Sequence, residues 1–578
     1  MKLTETAKQN YEKWLACEKL DPATRAELES IRGNEEEILG RFSASLSFGT
    51  AGLRGVMAAG TARLNRYTVA QATQGLAQLI KKKRASARGV AIAYDSRNHS
   101  REYAEVAARV LAGNRIKVYL FDDLRPTPEL SFALRYLSCI AGVNITASHN
   151  SKEYNGYKAY WEDGAQLPPD HAAAVSAEIA KIDIFEGVKL ANYKRALASG
   201  RIELIGRKID RAYLKNVLAE RVCPPGIDRA AKDLKIVYSP LHGAGWKLVP
   251  RVFREMGIGG VYIVPEQAKP DGNFPSVKKP NPELAEVFTP GIALAEKVGA
   301  DLIVATDPDS DRVGVMSRGK DGKFARISGN AMGALLLDYL LTAMKETGGI
   351  PADAYAVKTI VSTELFSEIA RKNGVKVYNV LTGFKFIGEV IKQHEALGRG
   401  TYVLGFEESY GYLKGTYARD KDAVCASMLI AEMAAFYRQK KMTLLDALED
   451  LYARYGYYAE YTENLEFSGA DAARKMAAVT ASLRRDPPKE IAGSRVVSIG
   501  DYLAGTLTDL KTGKAEKTGL PSSDVLRYKT ENGDVILVRP SGTEPKVKVY
   551  LLVSAKTKPA LDKKLAACKA AIPSLVRA

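Results

Sequence analysis

AGVNITASHN, residues 141 to 150, opens on a short apolar, β-branched run and closes on Ser148, His149 and Asn150. The apolar half reads as a buried strand and the polar half as the loop at its carboxyl end. GVAIAYDS (89–96), KIVYSP (235–240) and DLIVATD (301–307) have the same form, and stretches with helical periodicity lie between them. This alternation predicts α/β units around buried sheets. In open α/β sheets ligands gather at the carboxyl ends of strands, so these polar loops are where chemistry is expected. From about residue 456 the pattern changes: YYAEYTENLEF, SRVVSIGDYLAGTLTD and GDVILVRPSGTEPKVKVYLLVSA alternate in the antiparallel manner and precede the charged helix KPALDKKLAACKAAI. A separate α+β unit is expected there.

At roughly 100 to 200 residues per domain, a chain of 578 residues predicts several packed units. Its 46% hydrophobic and 26% charged residues are those of a globular protein, which excludes disorder as the theme. The opening MKLTETAKQNYEKWLACEKL carries charges throughout, and ASMLIAEMAAF is broken by Glu432, so neither a signal peptide nor a membrane span is expected. Cys17, Cys139, Cys223, Cys425 and Cys568 are far apart and never form C-x-x-C, which argues against a disulfide framework or zinc site and for the cytoplasm. The net charge of +17 admits nucleic acid, an acidic surface or small phosphorylated ligands. KKKR (81–84) follows the helical stretch TVAQATQGLAQLI and reads as the solvated cationic end of a helix. No zinc-finger spacing, recognition helix or RNP-like aromatic strand supports nucleic-acid binding, and a non-catalytic polyanion-binding protein stays a distant alternative.

DPDSDR (307–312) is the sharpest local signal, with Asp307, Asp309 and Asp311 at alternate positions just after a buried strand. In extended chain alternate side chains point the same way. Their mutual repulsion calls for a cation, and all-oxygen ligation suits Mg²⁺ or Ca²⁺. An EF-hand is excluded, because Arg312 stands where glycine is needed and Arg318 where the bidentate glutamate is needed. Arg312 beside this loop suggests a cation held for a ligand phosphate.

Ser148 lacks the G-x-S-x-G setting of a hydrolase nucleophile, and in extended chain His149 points away from it, so a catalytic triad is not expected. No Gly-Lys pair is followed by Ser or Thr, which removes a Walker A loop. A phosphate ester on Ser148, with a charge of about −1.5 to −2, would complete the shell of a metal held by the aspartates. The accepting hydroxyl then needs a base. Lys158 in YNGYK is a candidate if Asn155-Gly156 folds the chain back and nearby cations lower its affinity for the proton. From these residues alone, Ser148 as a helix N-cap and Lys158 as a surface residue is the competing reading.

In chain order, the motifs resemble those of the α-D-phosphohexomutases over nearly the whole sequence. TASHN resembles the family's active-site serine motif, DPDSDR its metal loop, GFEESYG (405–411) its sugar loop and RPSGTEP (539–545) its phosphate loop. FGTAGLRG (48–55) resembles its N-terminal loop, and YSPLHGAG, PDGNFPSVKKPNPE and TGFK match further stretches. One departure is Ser151, which stands where a proline commonly follows the asparagine. The resemblance implies three similar α/β domains with mixed sheets and a smaller α+β C-terminal domain around a central cleft, divided here as 1–205, 206–325, 326–455 and 456–578.

By the same resemblance Ser148, Lys158, His149 and Arg312 are catalytic, and one Mg²⁺ per chain is held by phosphorylated Ser148 with Asp307, Asp309 and Asp311. Substrate contacts fall on Thr50, Arg54, Gly383, Phe384, Lys385, Glu407, Ser409, Lys421, Arg539, Ser541, Gly542 and Thr543. The phosphate loop also has a physical rationale, since its hydroxyls, backbone N–H groups and the Arg539 fork suit phosphate oxygens. The implied reaction interconverts glucose 1-phosphate and glucose 6-phosphate through a phosphoserine and glucose 1,6-bisphosphate, the latter also the activator. The EES form resembles glucose-preferring members rather than the GEMSG pattern of those that also accept mannose. The whole-chain pattern, including GFEESYGY, also resembles the branch containing phosphopentomutases, so mannose and pentose phosphates stay open. A metal-dependent phosphatase would leave the sugar and phosphate loops unexplained. Expected partners are small sugar phosphates, with no nucleic acid and no membrane, on a monomer or weak homodimer.

Overall fold

The computed structural model describes residues 3–49, 52–467, 471–541 and 546–576. Among these, the apolar runs form the strands that the alternation predicts. The first sheet comprises β1 (Leu53–Val56), β2 (Val90–Tyr94), β3 (Val118–Phe121), β4 (Ala141–Ile145), β5 (Tyr154–Trp161) and β6 (Ile202–Ile205), in the order β1-β5-β4-β2-β3-β6. β4, β2, β3 and β6 are parallel, and β5 returns antiparallel beside β4. The second contains β7 (Lys235–Ser239), β8 (Gly260–Ile263), β9 (Leu302–Thr306), β10 (Val313–Arg318) and β11 (Phe324–Ile327), in the order β11-β10-β9-β7-β8. The third contains β12 (Ala354–Thr359), β13 (Lys376–Val380), β14 (Thr401–Glu407) and β15 (Gly411–Leu413), in the order β13-β12-β14-β15. In each, a run of parallel strands, four in the first sheet and three in the other two, ends at one antiparallel return: β5 beside β4, β10 beside β9, β15 beside β14. The three units therefore share one strand order, and the chain has the expected mixed α/β architecture.

Every residue of β2, β4 and β9 is buried, because helices cover both faces of the parallel strands. The helix Arg66–Lys82 illustrates the covering layer. Asn65 caps it by accepting from the Tyr67 and Thr68 amides, Leu76 and Ile80 face the core, and the KKKR run is its exposed cationic end. In the helix Ala423–Gln439, Glu432 is fully buried and accepts from Arg221 Nε (3.0 Å), Val222 N (3.0 Å) and Cys223 N (3.2 Å). Its charge is satisfied by this neighbouring loop, and no described helix is long and apolar enough to cross a membrane. Three further helices, Glu5–Ala16, Pro22–Ser30 and Glu35–Phe42, pack around Trp14 and Phe42 against Tyr67 and Phe185 of the first unit.

The last unit is an antiparallel sheet of β16 (Tyr457–Glu466), β17 (Glu490–Ile491), β18 (Ser494–Asp501), β19 (Thr506–Asp509), β20 (Ala515–Lys517), β21 (Leu526–Thr530), β22 (Val535–Pro540) and β23 (Lys546–Ala555). One face packs on the helix Lys558–Leu575 through Leu561, Cys568 and Ile572. The other face, with Leu537, Tyr550 and Leu552, packs on Ile360, Val361 and Leu381 of the third unit.

Asn155-Gly156 does not turn the chain as its sequence suggests; both residues lie inside β5, and the reversal falls between residues 146 and 153. Glycine is needed there for close approach. A Cβ on Gly156 would lie 2.4 Å from the Thr146 carbonyl oxygen and 2.9 Å from that of Leu53. Gly156→Ala must push β4 and β1 off β5, so it should destabilise the protein by about 1–3 kcal/mol, read as a lower unfolding midpoint. An unchanged midpoint would show that the strands are not in this contact.

Candidate active site

The loops after β4, β9 and β14 each reverse the chain into an antiparallel strand, and each contains a non-glycine residue with positive φ: Ser148 (52°), Ser310 (53°) and Tyr410 (66°). The left-handed residue makes each reversal tight. The three carboxylates converge through such a turn, not through the extended alternation that the spacing suggests. Asp307 Oδ1 accepts from the amides of Asp311 (3.1 Å) and Arg312 (3.0 Å), and its carbonyl accepts from Ser310 N at 2.9 Å. YSPLHGAG buttresses the turn: Ala244 N donates to the Pro308 carbonyl at 2.7 Å, and a Cβ on Gly243 would lie 2.4 Å from Pro308 Cα.

Asp307, Asp309 and Asp311 each offer an oxygen within 4.8 Å of the others, and all three are at most 1% exposed. Buried carboxylates need compensation. Lys158 Nζ lies 2.7 Å from Asp309 Oδ2 and 3.3 Å from Asp311 Oδ2, while Lys421 Nζ lies 3.1 Å from Asp311 Oδ2. Thr127 Oγ1 donates to Asp309 Oδ2 at 2.7 Å. Arg312 turns its Nη1 to Glu283 Oε1 at 2.6 Å and reaches Asp311 Oδ1 only at 3.9 Å. Among the described residues Asp309 Oδ1 and Asp311 Oδ1 are buried without a hydrogen-bond partner. Inward oxygens left over in an all-carboxylate set fit a hard divalent cation.

Burial, and then the charges of Asp309 and Asp311, push the Asp307 carboxyl well above the usual carboxylate range. Burial would also raise Asp311, but Lys421, Lys158 and Arg312 outweigh it and hold that carboxyl below the range. Burial opposes the charge on Lys158, yet Asp309 and Asp311 win and raise its affinity for the proton. The reading that neighbouring cations loosen this proton is therefore not what this arrangement shows.

Ser148 Oγ donates to Asp307 Oδ2 at 2.6 Å, and its amide donates to Thr146 Oγ1 at 2.8 Å. No helix starts at Ser148 and Lys158 is 6% exposed inside β5, which removes the N-cap and surface readings. Because the backbone at Ser148 is left-handed, His149 does not point away: its Nδ1 lies 3.4 Å from Ser148 Oγ. Burial, with Arg312 and Arg54, holds this imidazole well below its usual range and keeps it neutral. Arg54 Nη1 donates to Asn150 Oδ1 at 3.2 Å on the same loop.

Glu407, at the end of β14, accepts from Gly383 N at 2.7 Å through Oε1. Gly383 precedes the helix Phe384–Ala396 at φ 119°, and Lys421 Nζ stands 5.8 Å from the Phe384 ring centre, so Lys421 joins this group to the aspartates. Burial, partly offset by Lys421, pushes the Glu407 carboxyl up to about 7. Ser409 is half-buried beside it, and burial lowers the affinity of half-buried Lys385 for its proton. Arg539, the penultimate residue of β22, stands next to Tyr550, whose hydroxyl is pushed up by burial and by Glu408 and Glu407 across the domain boundary. Ser541 N donates to the Lys546 carbonyl at 2.8 Å. Thr50, Gly542 and Thr543 lie outside the described residues. Sequence reading misses Asp95 and Arg97 after β2, Thr127 at the start of the helix Thr127–Tyr136, and Asp420, which pairs with Lys421 at 3.1 Å. For Asp95 and Arg97 the available signal was their place at the end of β2, which GVAIAYDS already displays.

Four family models match in chain order: Phosphoglucomutase/phosphomannomutase, alpha/beta/alpha domain I over residues 45–185, domain II over 211–320, domain III over 328–455 and the C-terminal domain over 480–563. Phosphoglucomutase of Staphylococcus saprophyticus is 37% identical over 516 residues, covering 89% of this chain and 92% of the relative. That of Staphylococcus aureus strain USA300 is 37% identical over 510 residues, covering 88% and 90%. Among solved structures, the open form of parafusin, a phosphoglucomutase from Paramecium, is similar with TM-score 0.70 and 18% identity over 92% of this chain and 96% of that one. A phosphoglucomutase/phosphomannomutase family protein from Burkholderia thailandensis gives 0.64 and 19% over 92% and 98%, and both share the fold. Fold, site and matches define an isomerase of the phosphohexomutase class. The chain belongs to the phosphoglucomutase/phosphomannomutase family.

Glu407 yields a pH prediction. Its carboxyl sits at about 7 when folded, above its value in the unfolded chain, so the folded state holds this proton more tightly. That contribution is complete below the ordinary carboxylate range and is lost as pH rises through about 7. Between about pH 5 and about pH 8 the ligand-free wild type should lose on the order of 3 kcal/mol more stability than Glu407→Gln, measured by urea unfolding. Equal slopes in the two proteins would contradict the burial of an ionisable Glu407.

Proposed function

We propose that the protein interconverts glucose 1-phosphate and glucose 6-phosphate through phosphorylated Ser148 and a glucose 1,6-bisphosphate intermediate, which also serves as activator. The observation that carries this reading is Ser148 Oγ, held 2.6 Å from Asp307 at three buried carboxylates that two lysines compensate. In the first half-reaction the phosphorus–oxygen bond at Ser148 breaks and a new one forms to the free sugar hydroxyl. Lys158, whose Nζ reaches the same cluster, takes the sugar hydroxyl proton in its neutral form while the freed Ser148 Oγ gains a proton, and the exchange runs in reverse when the other phosphate moves back to Ser148. Neutral His149 and cationic Arg312 flank the transferring group. Mg²⁺, one per chain on Asp307, Asp309, Asp311 and the phosphoserine, would neutralise charge on that group and, by sharing Asp309 and Asp311, weaken their hold on the Lys158 proton.

Glu407 and Ser409 are assigned to the sugar's secondary hydroxyls, supported by Thr50, Arg54, Gly383, Phe384, Lys385 and Lys421. Arg539, Ser541, Gly542 and Thr543 are assigned to the phosphate that is not reacting. The glucose assignment is supported by relatives named phosphoglucomutase that span most of the chain. We place the domains at 1–205, 206–325, 326–455 and 456–578, supported by the first, third and fourth sheets, each of which lies within one of these spans; in the second sheet β11 runs two residues past 325. A cytoplasmic monomer or weak homodimer is the proposed form; it acts on sugar phosphates, and its five cysteines are free.

Ser148→Ala should lose at least about 10³-fold in kcat, roughly 4 kcal/mol of barrier, and the phosphorylated peptide of the active enzyme should contain Ser148. Chelation should abolish turnover and Mg²⁺ restore it. Glucose 1-phosphate should exceed mannose 1-phosphate and ribose 1-phosphate by tenfold or more in kcat/KM, about 1.4 kcal/mol. An active alanine variant would end the mechanism, whereas preference for ribose 1-phosphate would overturn only the glucose assignment.

A further inference from the structure

Arg97, in the loop after β2, is 3% exposed, and its guanidinium grips the backbone of the serine loop. Nη2 donates to the carbonyls of Ser148, at 2.6 Å, and of Asn150. Nη1 donates to the carbonyls of Ser151 (2.8 Å) and Tyr154 (3.0 Å). Nε faces Asp95 Oδ2 at 3.3 Å. Asp95 in turn accepts from Arg97 N (2.9 Å), Ser100 Oγ (2.8 Å) and Thr146 Oγ1 (2.6 Å), and Thr146 Oγ1 accepts the Ser148 amide at 2.8 Å. One network rooted in the β2 loop therefore holds both the N–H and the C=O of Ser148.

That hold is needed because Ser148 has φ 52°, a left-handed backbone that serine does not favour alone. A planar guanidinium spreads five N–H donors over a rigid fork and so holds four carbonyls in fixed places, whereas an ammonium has three donors at a single point. The second unit closes the outer side. The Phe274 ring lies 5.0 Å from the guanidinium carbon, Asn98 Nδ2 donates to Asn273 Oδ1 at 3.0 Å, and a Cβ on Gly272 would lie 2.3 Å from Asn98 N.

We propose that Arg97 is a positioning residue for phosphoryl transfer: it fixes the left-handed backbone at Ser148 and so aims Oγ at the aspartate cluster, touching no substrate itself. The inference rests on Ser148 as the phosphoryl carrier. If the clamp is lost the hydroxyl is misaimed while the aspartates and the sugar loop are untouched.

The test compares wild type with Arg97→Lys, Arg97→Met and the isosteric Thr146→Val, reading kcat, KM for glucose 1-phosphate, Mn²⁺ affinity by electron paramagnetic resonance, and the unfolding midpoint. Arg97→Lys and Arg97→Met should both lose about 100-fold in kcat, since a 1 Å misplacement costs roughly that much. Thr146→Val should lose in the same direction, with KM and Mn²⁺ affinity within about threefold of wild type in all three. If the Arg97 variants do not fold, Thr146→Val decides the matter alone. Wild-type kcat in Arg97→Lys or in Thr146→Val overturns the proposal, as does a parallel loss of kcat, KM, Mn²⁺ affinity and midpoint. Wild type that turns over without phosphorylating Ser148 overturns the carrier reading and this inference with it. A phosphorylated wild type with unimpaired variants overturns the inference alone.

Discussion

Three carboxylates lie together almost out of contact with water, and the arrangement of the domains around them follows from that fact. Taking ions out of water costs several kcal/mol each unless partners meet them. Here the partners come from other units: Lys158 and Thr127 from the first, Lys421 from the third. The loop's own cation, Arg312, is turned to Glu283 and reaches Asp311 only at 3.9 Å, so the loop is held by its neighbours as it holds them. Ser148 is drawn into the same cluster by the hydrogen bond from its Oγ to Asp307.

The same backbone solution serves three times. A parallel strand ends in buried residues, a left-handed residue reverses the chain, and an antiparallel strand carries it back. Ser148, Ser310 and Tyr410 occupy matching places in that device, although their side chains have different tasks. Each loop is thus mounted on a rigid, buried edge, and the chemistry can vary while the mounting stays constant. The fourth unit differs because it is antiparallel throughout and packs one sheet face on the third unit.

Much of this was legible in the sequence. Buried parallel strands are continuous apolar runs, so β2, β4, β7 and β9 stood out, and Asp307, Asp309 and Asp311 announced themselves by spacing. The geometry behind the spacing was not legible, because a side-chain acceptor closing its own turn looks the same in sequence as an extended strand end. Gly156 read as a turn since local pattern cannot distinguish a left-handed glycine from one crowded by a neighbouring strand. Lys421 became visible only through the family resemblance. Asp95 and Arg97 went unread because Arg97 holds main-chain carbonyls some fifty positions away, and a carbonyl is supplied by every residue type. The same fact makes Ser151 tolerable where the family commonly has proline: its carbonyl is what Arg97 holds.

The central claim is that the phosphoryl group on Ser148 is the one the sugar receives. The most direct measurement is a single turnover with radiolabelled phosphoserine enzyme and unlabelled glucose 1-phosphate, quenched on the timescale of one turnover. Label is expected to leave Ser148 for the glucose bisphosphate at least as fast as glucose 6-phosphate forms. Product formation with the label still on the enzyme would contradict it.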